Sequence, residues 1–215
     1  MEEQFPQGKI EEIWDRLARA WQKYRNKPVQ EVVEFLKDKK GKVLDLGCGT
    51  GRNFVKTQGL EWYGLDSSKK MLECAKKELE KRGINVKLFR GYAEKIPFED
   101  KFFDAVIFIS TLHCIQKEEK RREVLKEIYR VMKNGAEAII SVCNKKSIKK
   151  LQKIPAKEGS VSWKKDGKIY QRYYYFYEED ELEKLLKEAG FKIIKKDKIK
   201  KGKHSKKNIV FICKK

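Results

Sequence analysis

A run of glycines preceded by an acid is the stretch whose residue types and spacing could do chemistry. Gly47, Gly49 and Gly51 occupy alternate positions, and Asp45 lies two residues before the first of them. Glycine permits φ > 0 and lets a ligand approach the backbone without a Cβ in the way. Asp66 ends the next apolar segment, where a carboxylate at a strand end can bind ribose hydroxyls. The alternative is a turn that only joins two elements, with Asp66 as a helix cap.

The spacing of the glycines distinguishes between the classes of ligand that such a loop can bind. A dinucleotide fingerprint, G-x-G-x-x-G/A, would require a small residue at position 52, which is Arg52. The G-x-x-x-x-G-K-[ST] loop that cradles nucleoside triphosphates is absent from the sequence. The pattern that remains, G-x-G-x-G after an acid, resembles the S-adenosylmethionine loop of class I methyltransferases. The resemblance implies S-adenosyl-L-methionine as cofactor, with Asp45 holding its methionine ammonium through water or a short hydrogen-bonded relay.

The segment after the second predicted strand adds further cofactor positions. Ser67 follows Asp66 and is predicted to cap the next helix, whose apolar residues, beginning with Met71, repeat at helical spacing. We therefore expect Asp66, Ser67 and Met71 to line the cofactor site together.

The ends of the third and fourth predicted strands complete the cofactor site. In class I methyltransferases, the junction after the third strand reads the adenine through an acidic side chain and a neighbouring backbone N–H. Tyr92 stands where the acid is expected, so we assign the adenine contact to Ala93 and Glu94. Ligands bind beyond the carboxyl ends of such strands, which places Ser110 where the reacting methyl group should lie.

Alternating strand and helix patterns position these residues. Strands are predicted at 43–46, 61–66, 85–90, 103–110 and 136–143, and helices at 29–37, 117–132 and 178–189. The β-α-β-α-β order predicts an α/β Rossmann-like fold with a parallel sheet and helices on both faces. The segments 191–198 and 207–213 predict a terminal antiparallel hairpin. The class I resemblance implies a mostly parallel sheet of seven strands that ends in this way.

The 215 residues suit one methyltransferase domain with two additions. Apolar residues at helical spacing from Ile10 to Trp21 predict a helix, and we expect residues 1–40 to form a helical lid over the cofactor loop. Residues 144–177 form a Lys- and aromatic-rich insertion without a clear period as far as Gln171. Its aromatic end either stacks on a single-stranded nucleic acid or packs into the core as a strand.

The charge of the chain favours a polyanionic partner. Lys and Arg number 52 against 32 Asp and Glu, a formal net charge of +20, although Lys-rich chains also occur in heat-adapted organisms. The five cysteines show no C-x-x-C spacing, which predicts reduced thiols, a cytoplasmic location and no metal site. The start, Met-Glu-Glu-Gln, lacks the features of a secretory signal, and no apolar run has membrane-spanning length, so no membrane partner is expected.

A narrower resemblance extends along most of the chain. The sequence resembles the tRNA methyltransferases that esterify 5-carboxymethyluridine at the wobble position. The stretches that carry it are 14–28, 45–51, 112–122, and 161–163 followed by 172–182. The chain departs from that family at Cys114 and Ile115, where the family often has a histidine and an aromatic residue. It departs again after Asn208, where the family has an Asn-Trp-Trp-like strand.

The resemblance implies roles for specific residues. Arg25, His113 and Arg121 fall on positions around the methyl-accepting group. A carboxylate acceptor needs orientation and exclusion of water rather than a base, and arginine forks match its geometry. His113 either donates a hydrogen bond, takes a proton from a hydroxyl acceptor, or is structural.

The resemblance also implies partners. It predicts that the tRNA anticodon loop binds to the insertion, and that a small zinc-binding activator protein is a further partner. The expected contacts of the loop are Trp163, Arg172, Tyr173 and Tyr174. Two other functions remain open: a small-molecule methyltransferase of the quinone or metabolite type, and a cofactor-binding scaffold subunit without turnover.

Overall fold

The computed structural model describes residues 10–144, 157–197 and 208–215, and this part of the chain alternates helices and strands. The helices are α1 (Ile10–Tyr24), α2 (Gln30–Leu36), α3 (Lys69–Arg82), α4 (Glu118–Val131) and α5 (Glu179–Glu188). The strands are β1 (Gly41–Leu46), β2 (Leu60–Asp66), β3 (Val86–Arg90), β4 (Phe103–Ile109), β5 (Met132–Cys143), β6 (Glu158–Lys165), β7 (Lys168–Tyr175), β8 (Lys192–Asp197) and β9 (Asn208–Lys214). A short 3₁₀ turn, Leu112–Cys114, follows β4.

Seven strands form one sheet in the order β3-β2-β1-β4-β5-β9-β8. Strands β1 to β5 pair in parallel, and β9 pairs antiparallel with both β5 and β8. The predicted Rossmann-like fold with its terminal antiparallel pair is thus confirmed. The strand order reverses between β1 and β4, and in such sheets ligands bind beyond the carboxyl ends of the strands at this point.

The sheet is covered on both faces because its central strand alternates between two apolar layers. Val106 and Phe108 of β4 pack in the layer that contains residues of α4 and α5. Ala105 and Ile107 pack in the opposite layer, with residues of α2 and α3. Burial of each such side chain contributes about 1.5–3 kcal/mol, so the strand ends that carry the candidate site are held firmly. None of the described helices combines the length and the apolar character needed to cross a membrane.

The predicted insertion contains a regular hairpin where the sequence analysis expected no clear period. Strands β6 and β7 form a separate two-stranded antiparallel sheet. Asp166 and Gly167 connect them with φ of 50° and 73°, the positive values that a tight hairpin turn requires. The expectation of an irregular segment up to Gln171 was therefore wrong. Residues 145–156 of the insertion, and residues 1–9 of the expected lid, lie outside the described part of the chain.

The start of β5 also differs from the prediction. Helix α4 ends at Val131, and β5 begins at Met132 rather than at Ala136. Met132 is buried and pairs with Phe103, which draws the chain into the sheet immediately after the helix. The expected helix end at Asn134-Gly135 instead lies inside the strand, next to an irregular register between β4 and β5.

Candidate active site

A cavity of about 190 Å³ lies at the carboxyl ends of the parallel strands. Its walls come from α1, the glycine loop, the ends of β2 and β4, and the segment after β3. Among the residues expected at the cofactor site, those that line the cavity are Gly47, Gly49, Asp66, Ser67, Met71, Ala93, Glu94 and Ser110. Asp45 and Gly51 lie behind this surface. The residues expected to act on the methyl acceptor, Arg25, His113 and Arg121, lie outside the cavity lining.

The three glycines of the loop have different surroundings. A Cβ on Gly47 would come within 2.5 Å of Thr111 Oγ1, and a Cβ on Gly51 would come within 3.3 Å of Ala75 Cβ. These two glycines let the loop pack closely against the protein. Gly49, at φ +54°, faces open space, and the nearest atom to its Cβ position is Met71 Sδ at 4.0 Å. Gly49 is therefore the position at which a ligand can approach the backbone most closely.

Asp66 organises the loop and the helix that follows. Its Oδ2 accepts the Gly49 N–H at 2.8 Å, and its Oδ1 accepts the Ser68 N–H at 2.9 Å. Burial raises the pKa of Asp66 to about 6, against the lowering effect of these backbone bonds. Each carboxylate oxygen can accept a second hydrogen bond, so Asp66 can still bind ribose hydroxyls on the cavity side.

The N-cap of α3 is Ser68, and the prediction that Ser67 caps the helix was wrong. Ser68 Oγ accepts the Met71 N–H at 3.1 Å. Since the Asp66 carboxylate holds the Ser68 N–H, the helix begins one residue later than expected. Ser67 lines the cavity, so its assignment to the cofactor site stays a prediction.

Asp45 carries an unsatisfied buried acceptor. The residue is only 1% exposed, and its Oδ2 has no hydrogen-bond partner. Burial raises the pKa of Asp45 to about 7, while the charge of Arg52 and a hydrogen bond from Asn53 act in the lowering direction. A buried carboxylate oxygen without a partner is costly unless a cation or donor reaches it. This oxygen fits the predicted role of binding an ammonium group through a short relay.

Arg52 is a site residue that the sequence analysis used only to exclude a dinucleotide. It lines the cavity directly after the glycine loop. Burial and the charge of Arg25 lower the pKa of Arg52, whereas Asp45 acts in the raising direction. Asp45 and Arg52 together give the site one buried acid and one partly buried cation. Such a pair suits a zwitterionic amino-acid group. In the sequence, the only feature that indicated a role for Arg52 in the site was its position immediately after Gly51.

The segment after β3 lies where the adenine-reading junction was expected. Tyr92, Ala93 and Glu94 all line the cavity. The Tyr92 hydroxyl contacts the Glu11 carboxylate of α1, and Glu94 Oε1 lies 3.5 Å from Lys120 Nζ. The predicted residues are thus brought together, and α1 closes over them.

Helix α1 lines the cavity and is anchored at two points along its length. Asp15 Oδ1 accepts the Ser68 hydroxyl at 2.5 Å and the Lys70 N–H at 3.0 Å. Near the other end, the Tyr24 hydroxyl donates to Asp166 Oδ1 in the hairpin turn at 2.9 Å. The helix therefore bridges the start of α3 and the β6–β7 hairpin.

Ser110 has a strained backbone at the end of β4. Its φ is +57°, a value that is uncommon outside glycine and that clusters at functional sites. Its N–H donates to the Ser141 carbonyl at 2.9 Å, and its Oγ accepts from Asn208 Nδ2 at 3.1 Å. Neighbouring strands therefore hold the residue in this conformation.

His113 is a neutral, buried histidine. Its Nδ1 accepts the Cys143 N–H at 3.1 Å, which places the imidazole proton on Nε2. Burial, and then the charge of Arg172, lower the pKa of His113 to about 3. Because Nδ1 is occupied and the ring stays neutral, His113 can donate a hydrogen bond but is a poor general base.

The arginines and aromatic residues of the expected acceptor site divide between two faces of β7. Arg172 and Tyr174 face Trp21, whose ring lies 5.2 Å from the exposed Arg25 guanidinium and 5.4 Å from the Trp163 ring. Trp21 itself lines the cavity. This face therefore brings together, beside the cavity, four residues that the sequence analysis predicted: Arg25, Trp163, Arg172 and Tyr174.

The opposite face of β7 carries Arg121 and Tyr173. Arg121 Nη1 donates to the Ile115 carbonyl at 3.0 Å and to the Tyr173 hydroxyl at 3.4 Å. Its guanidinium lies 4.0 Å from the centre of the Tyr175 ring. Tyr173 and Tyr174 are both buried, as the core-strand interpretation of the aromatic run expects. A direct role of Arg121 at the acceptor stays a prediction.

The residues of the site fit S-adenosylmethionine. The unpaired Asp45 oxygen matches an ammonium, the open face of Gly49 admits the ligand, and Asp66 keeps acceptors for the ribose. Among residues 10–144, 157–197 and 208–215, no group of three or more His, Cys, Asp or Glu is arranged to hold a metal ion.

Solved structures share the fold over nearly the whole chain. A Pyrococcus horikoshii protein superposes with a TM-score of 0.72 and 23% identity, covering 98% of this chain and 99% of that one. A Clostridium acetobutylicum S-adenosylmethionine-dependent methyltransferase gives 0.71 and 16%, covering 94% and 98%. A Haloferax volcanii putative methyltransferase, solved in complex with the Trm112 methyltransferase activator, gives 0.67 and 16%, covering 94% and 96%.

Related sequences include methyltransferases that are named for different substrates. The tRNA (carboxymethyluridine(34)-5-O)-methyltransferase of Saccharomyces cerevisiae is 28% identical over 61% of this chain, which spans 46% of the yeast protein. A demethylmenaquinone methyltransferase of a Geobacillus species is also 28% identical, over 75% of this chain and 76% of its own length.

Family membership rests on the longer matches. Residues 43–135 match a methyltransferase domain model. An uncharacterised Methanocaldococcus jannaschii protein is 31% identical, covering 86% of this chain and 77% of that protein. A putative methyltransferase of Encephalitozoon cuniculi is 30% identical, covering 71% and 70%. With the fold and the glycine-loop site in place, the chain belongs to the class I S-adenosylmethionine-dependent methyltransferases, and its cofactor is S-adenosyl-L-methionine.

Proposed function

We propose that this enzyme methylates the carboxylate of 5-carboxymethyluridine, or of a related modified uridine, at the wobble position of tRNA. The observation that carries the proposal is a cationic and aromatic rim beside the cavity, which we call the entrance rim. It consists of Lys23, Tyr24, Arg25, Lys165 and Lys168. In this proposal α1 acts as a lid within one methyltransferase domain, and the β6–β7 hairpin holds the anticodon loop.

The entrance rim has the properties of a single-stranded RNA contact. Lys165 Nζ lies 4.2 Å and Lys23 Nζ 5.4 Å from the centre of the Tyr24 ring, which is 41% exposed. Lys168 lies opposite Lys165 in the hairpin. The Tyr24 hydroxyl donates to Asp166 in the turn between them, and the lysines provide positive charge that attracts phosphates. An exposed ring among cations offers a stacking face for a base.

The geometry of His113 also supports a carboxylate acceptor. When bound, the cofactor supplies a methyl group on a sulfonium, and a carboxylate oxygen would attack the methyl carbon in line with the departing sulfur, without any proton transfer. A carboxylate is ionised at neutral pH, so the enzyme needs no general base. His113, with Nδ1 occupied and a pKa lowered to about 3 by burial and by Arg172, suits an acceptor of this kind.

The relatives support the substrate and a partner. The yeast relative acts on carboxymethyluridine in tRNA, and the Haloferax neighbour was solved with a methyltransferase activator. We infer that this chain also works with a small zinc-binding activator protein.

A small-molecule methyltransferase is the second candidate, because the Geobacillus relative covers more of this chain than the yeast one does. It predicts turnover that is independent of tRNA and insensitive to salt. A third candidate, a scaffold subunit without turnover, predicts cofactor binding and no methyl transfer to tRNA with or without an activator.

The test is incubation of the enzyme with labelled cofactor and total tRNA, with and without the activator, followed by identification of the nucleoside by mass. We expect a methyl ester of 5-carboxymethyluridine. Asp66→Ala should abolish cofactor binding, whereas Arg25→Ala should retain it and lose turnover. A label confined to small lipophilic molecules would support the second candidate. Equal loss of cofactor binding in both variants would contradict the assigned roles.

A further inference from the structure

Arg172 is a buried cation without an acidic partner. The residue is 7% exposed, and its Nη1 donates to the Tyr174 hydroxyl at 2.7 Å. Its Nε has no hydrogen-bond partner, and no carboxylate within the described ranges forms an ion pair with it. Burial of a charge without a counter-charge is strongly unfavourable, so such a group is expected to have a function.

The surroundings of Arg172 place it next to the cavity. Its guanidinium lies 4.9 Å from the Tyr174 ring, 5.5 Å from the Trp21 ring and 5.9 Å from the Trp163 ring. Trp21 and Cys114 line the cavity, and the charge of Arg172 lowers the pKa of the Cys114 thiol against the dominant raising effect of burial. The cation thus lies behind two residues of the cavity wall.

The other buried arginine, Arg121, faces away from this region. It lies on the Tyr173 side of β7, and successive residues of a strand point to opposite faces. Its bond to the Ile115 carbonyl holds the end of the 3₁₀ turn that carries His113. The two buried arginines therefore occupy different environments, although both come from stretches that resemble the tRNA methyltransferases.

Taking the proposed function as given, we propose that Arg172 binds the carboxylate that accepts the methyl group, and that Arg121 is a positioning residue for the turn beneath it. A guanidinium has five N–H donors in a planar fork, and Arg172 uses one of them for Tyr174. The remaining donors can hold both oxygens of a carboxylate. The buried cation supplies the counter-charge that the substrate carboxylate needs when it leaves water.

The reaction then removes the basis of this attraction. A carboxylate oxygen forms a bond to the methyl carbon while the carbon–sulfur bond breaks, its electron pair stays on sulfur, and no proton moves. The product is a neutral ester, which leaves Arg172 without a counter-charge. The acid should therefore bind more tightly than its methyl ester, and the ester should be released readily.

The test compares binding of 5-carboxymethyluridine and of its methyl ester to protein saturated with S-adenosylhomocysteine. Binding is followed by intrinsic tryptophan fluorescence, to which Trp21 and Trp163 beside Arg172 contribute. We expect wild type to prefer the acid by about tenfold to a hundredfold, the range for a hydrogen bond to a charged group. Arg172→Met should lose this preference. Arg122→Met is the matched control, because Arg122 is a surface cation paired with Glu118 and Glu188. An unchanged acid-over-ester ratio in Arg172→Met would overturn the proposal.

A second arm separates the anion site from the identity of the substrate. Sodium acetate replaces sodium chloride at constant ionic strength, and the same fluorescence is recorded. An acetate response in wild type that Arg172→Met lacks supports the anion site even if neither nucleoside binds, and that result would refute the proposed acceptor alone. Equal acetate responses in both proteins would overturn the role of Arg172.

Two further variants keep the proposal falsifiable. Retained S-adenosylhomocysteine binding shows that Arg172→Met is folded. If Arg172→Met does not bind S-adenosylhomocysteine, Tyr174→Phe takes its place, because this change removes only the hydroxyl that holds Nη1 of Arg172. We expect a smaller ratio of acid affinity to ester affinity in Tyr174→Phe, and an unchanged ratio would count against the proposal. For Arg121, Arg121→Met should lower kcat while the ratio stays at the wild-type value, and Arg121→Lys should restore part of kcat. If Arg121→Met instead binds the acid and the ester equally, Arg121 rather than Arg172 binds the substrate carboxylate.

Discussion

Replacement of Asp45 by Asn should move stability and cofactor binding in opposite directions. Asp45 is buried, and one of its carboxylate oxygens has no partner in the absence of a ligand. We expect Asp45→Asn to unfold at a higher temperature than wild type at pH 8 without cofactor, and to bind S-adenosylhomocysteine more weakly.

The pKa of Asp45 sets the magnitude. Burial raises it from the ordinary value of 3.8 to about 7. The folded chain therefore holds a proton that the unfolded chain has lost between these values, and stability falls as the pH rises through this window. At about 1.4 kcal/mol per pKa unit, the raised pKa of Asp45 destabilises the folded state, relative to a residue that stays neutral, by on the order of 4 kcal/mol at pH 8 and about 2 kcal/mol at pH 5.

The pKa of about 7 already contains the favourable effects of Arg52 and Asn53, so they are not subtracted again. Because Asn is neutral in both states, the net stabilisation in Asp45→Asn should be about 4 kcal/mol at pH 8 and about 2 kcal/mol at pH 5. For a protein of this size, about 2 kcal/mol corresponds to a shift of roughly 4–8 °C.

The assay is thermal unfolding of both proteins at pH 5 and pH 8, followed by calorimetric titration with S-adenosylhomocysteine. Loss of a hydrogen bond to a charged group should weaken binding about tenfold to a hundredfold. The reasoning is refuted if the variant is destabilised equally at both pH values, or if it binds the ligand as tightly as wild type does.

Three other predictions follow from the same structure. Gly49→Ala should place a methyl group in the open face of the cofactor loop and weaken cofactor binding more than tenfold. The control is Gly83→Ala, at a similar φ of +62° but away from the cavity, which should cost about 1 kcal/mol of stability and leave cofactor binding unchanged. Equal cofactor affinities of the two variants by calorimetry would contradict this prediction. Because the pKa of His113 falls to about 3 on folding, the unfolded chain binds a proton below pH 6.5 that the folded chain does not bind. The free energy of unfolding of wild type relative to His113→Gln, measured by denaturant titration, should therefore fall by about 2 kcal/mol between pH 7 and pH 5. The double variant Lys165→Ala, Lys168→Ala should reduce the salt dependence of tRNA binding by about 1.4 in the log–log slope without changing cofactor affinity, and an unchanged slope would place the RNA elsewhere.

Local patterns were sufficient to predict much of the fold. The apolar runs of β1 and β4 and the helical spacing of α3 reflect burial, which the periodicity of a sequence records directly. The glycine loop and Asp66 were also predictable, because the fold places the carboxyl ends of the parallel strands at one edge of the sheet. The hairpin was missed although Asp166-Gly167 is a strong turn signal, since the lysines around it obscure the alternation of β6 and β7.

The acceptor site depends on long-range packing that local patterns do not record. Arg121 and Arg172 both come from stretches that resemble the tRNA methyltransferases, yet only Arg172 lies on the Trp21 face of β7. That distinction follows from the face of β7 on which each residue lies and from how the hairpin docks against α1. Arg52 was missed because a cation after a glycine loop is usually exposed, whereas here it is partly buried in the cavity wall, near Asp45.

The alkali lability of the transferred methyl group tests the central claim most directly. The enzyme is incubated with methyl-labelled cofactor, tRNA that carries 5-carboxymethyluridine, and the activator, and the recovered tRNA is then treated with mild base. We predict that the label leaves as methanol and that the nucleoside returns to the carboxylic acid. A label that survives the base on carbon, nitrogen or a ribose oxygen would contradict methylation of a carboxylate.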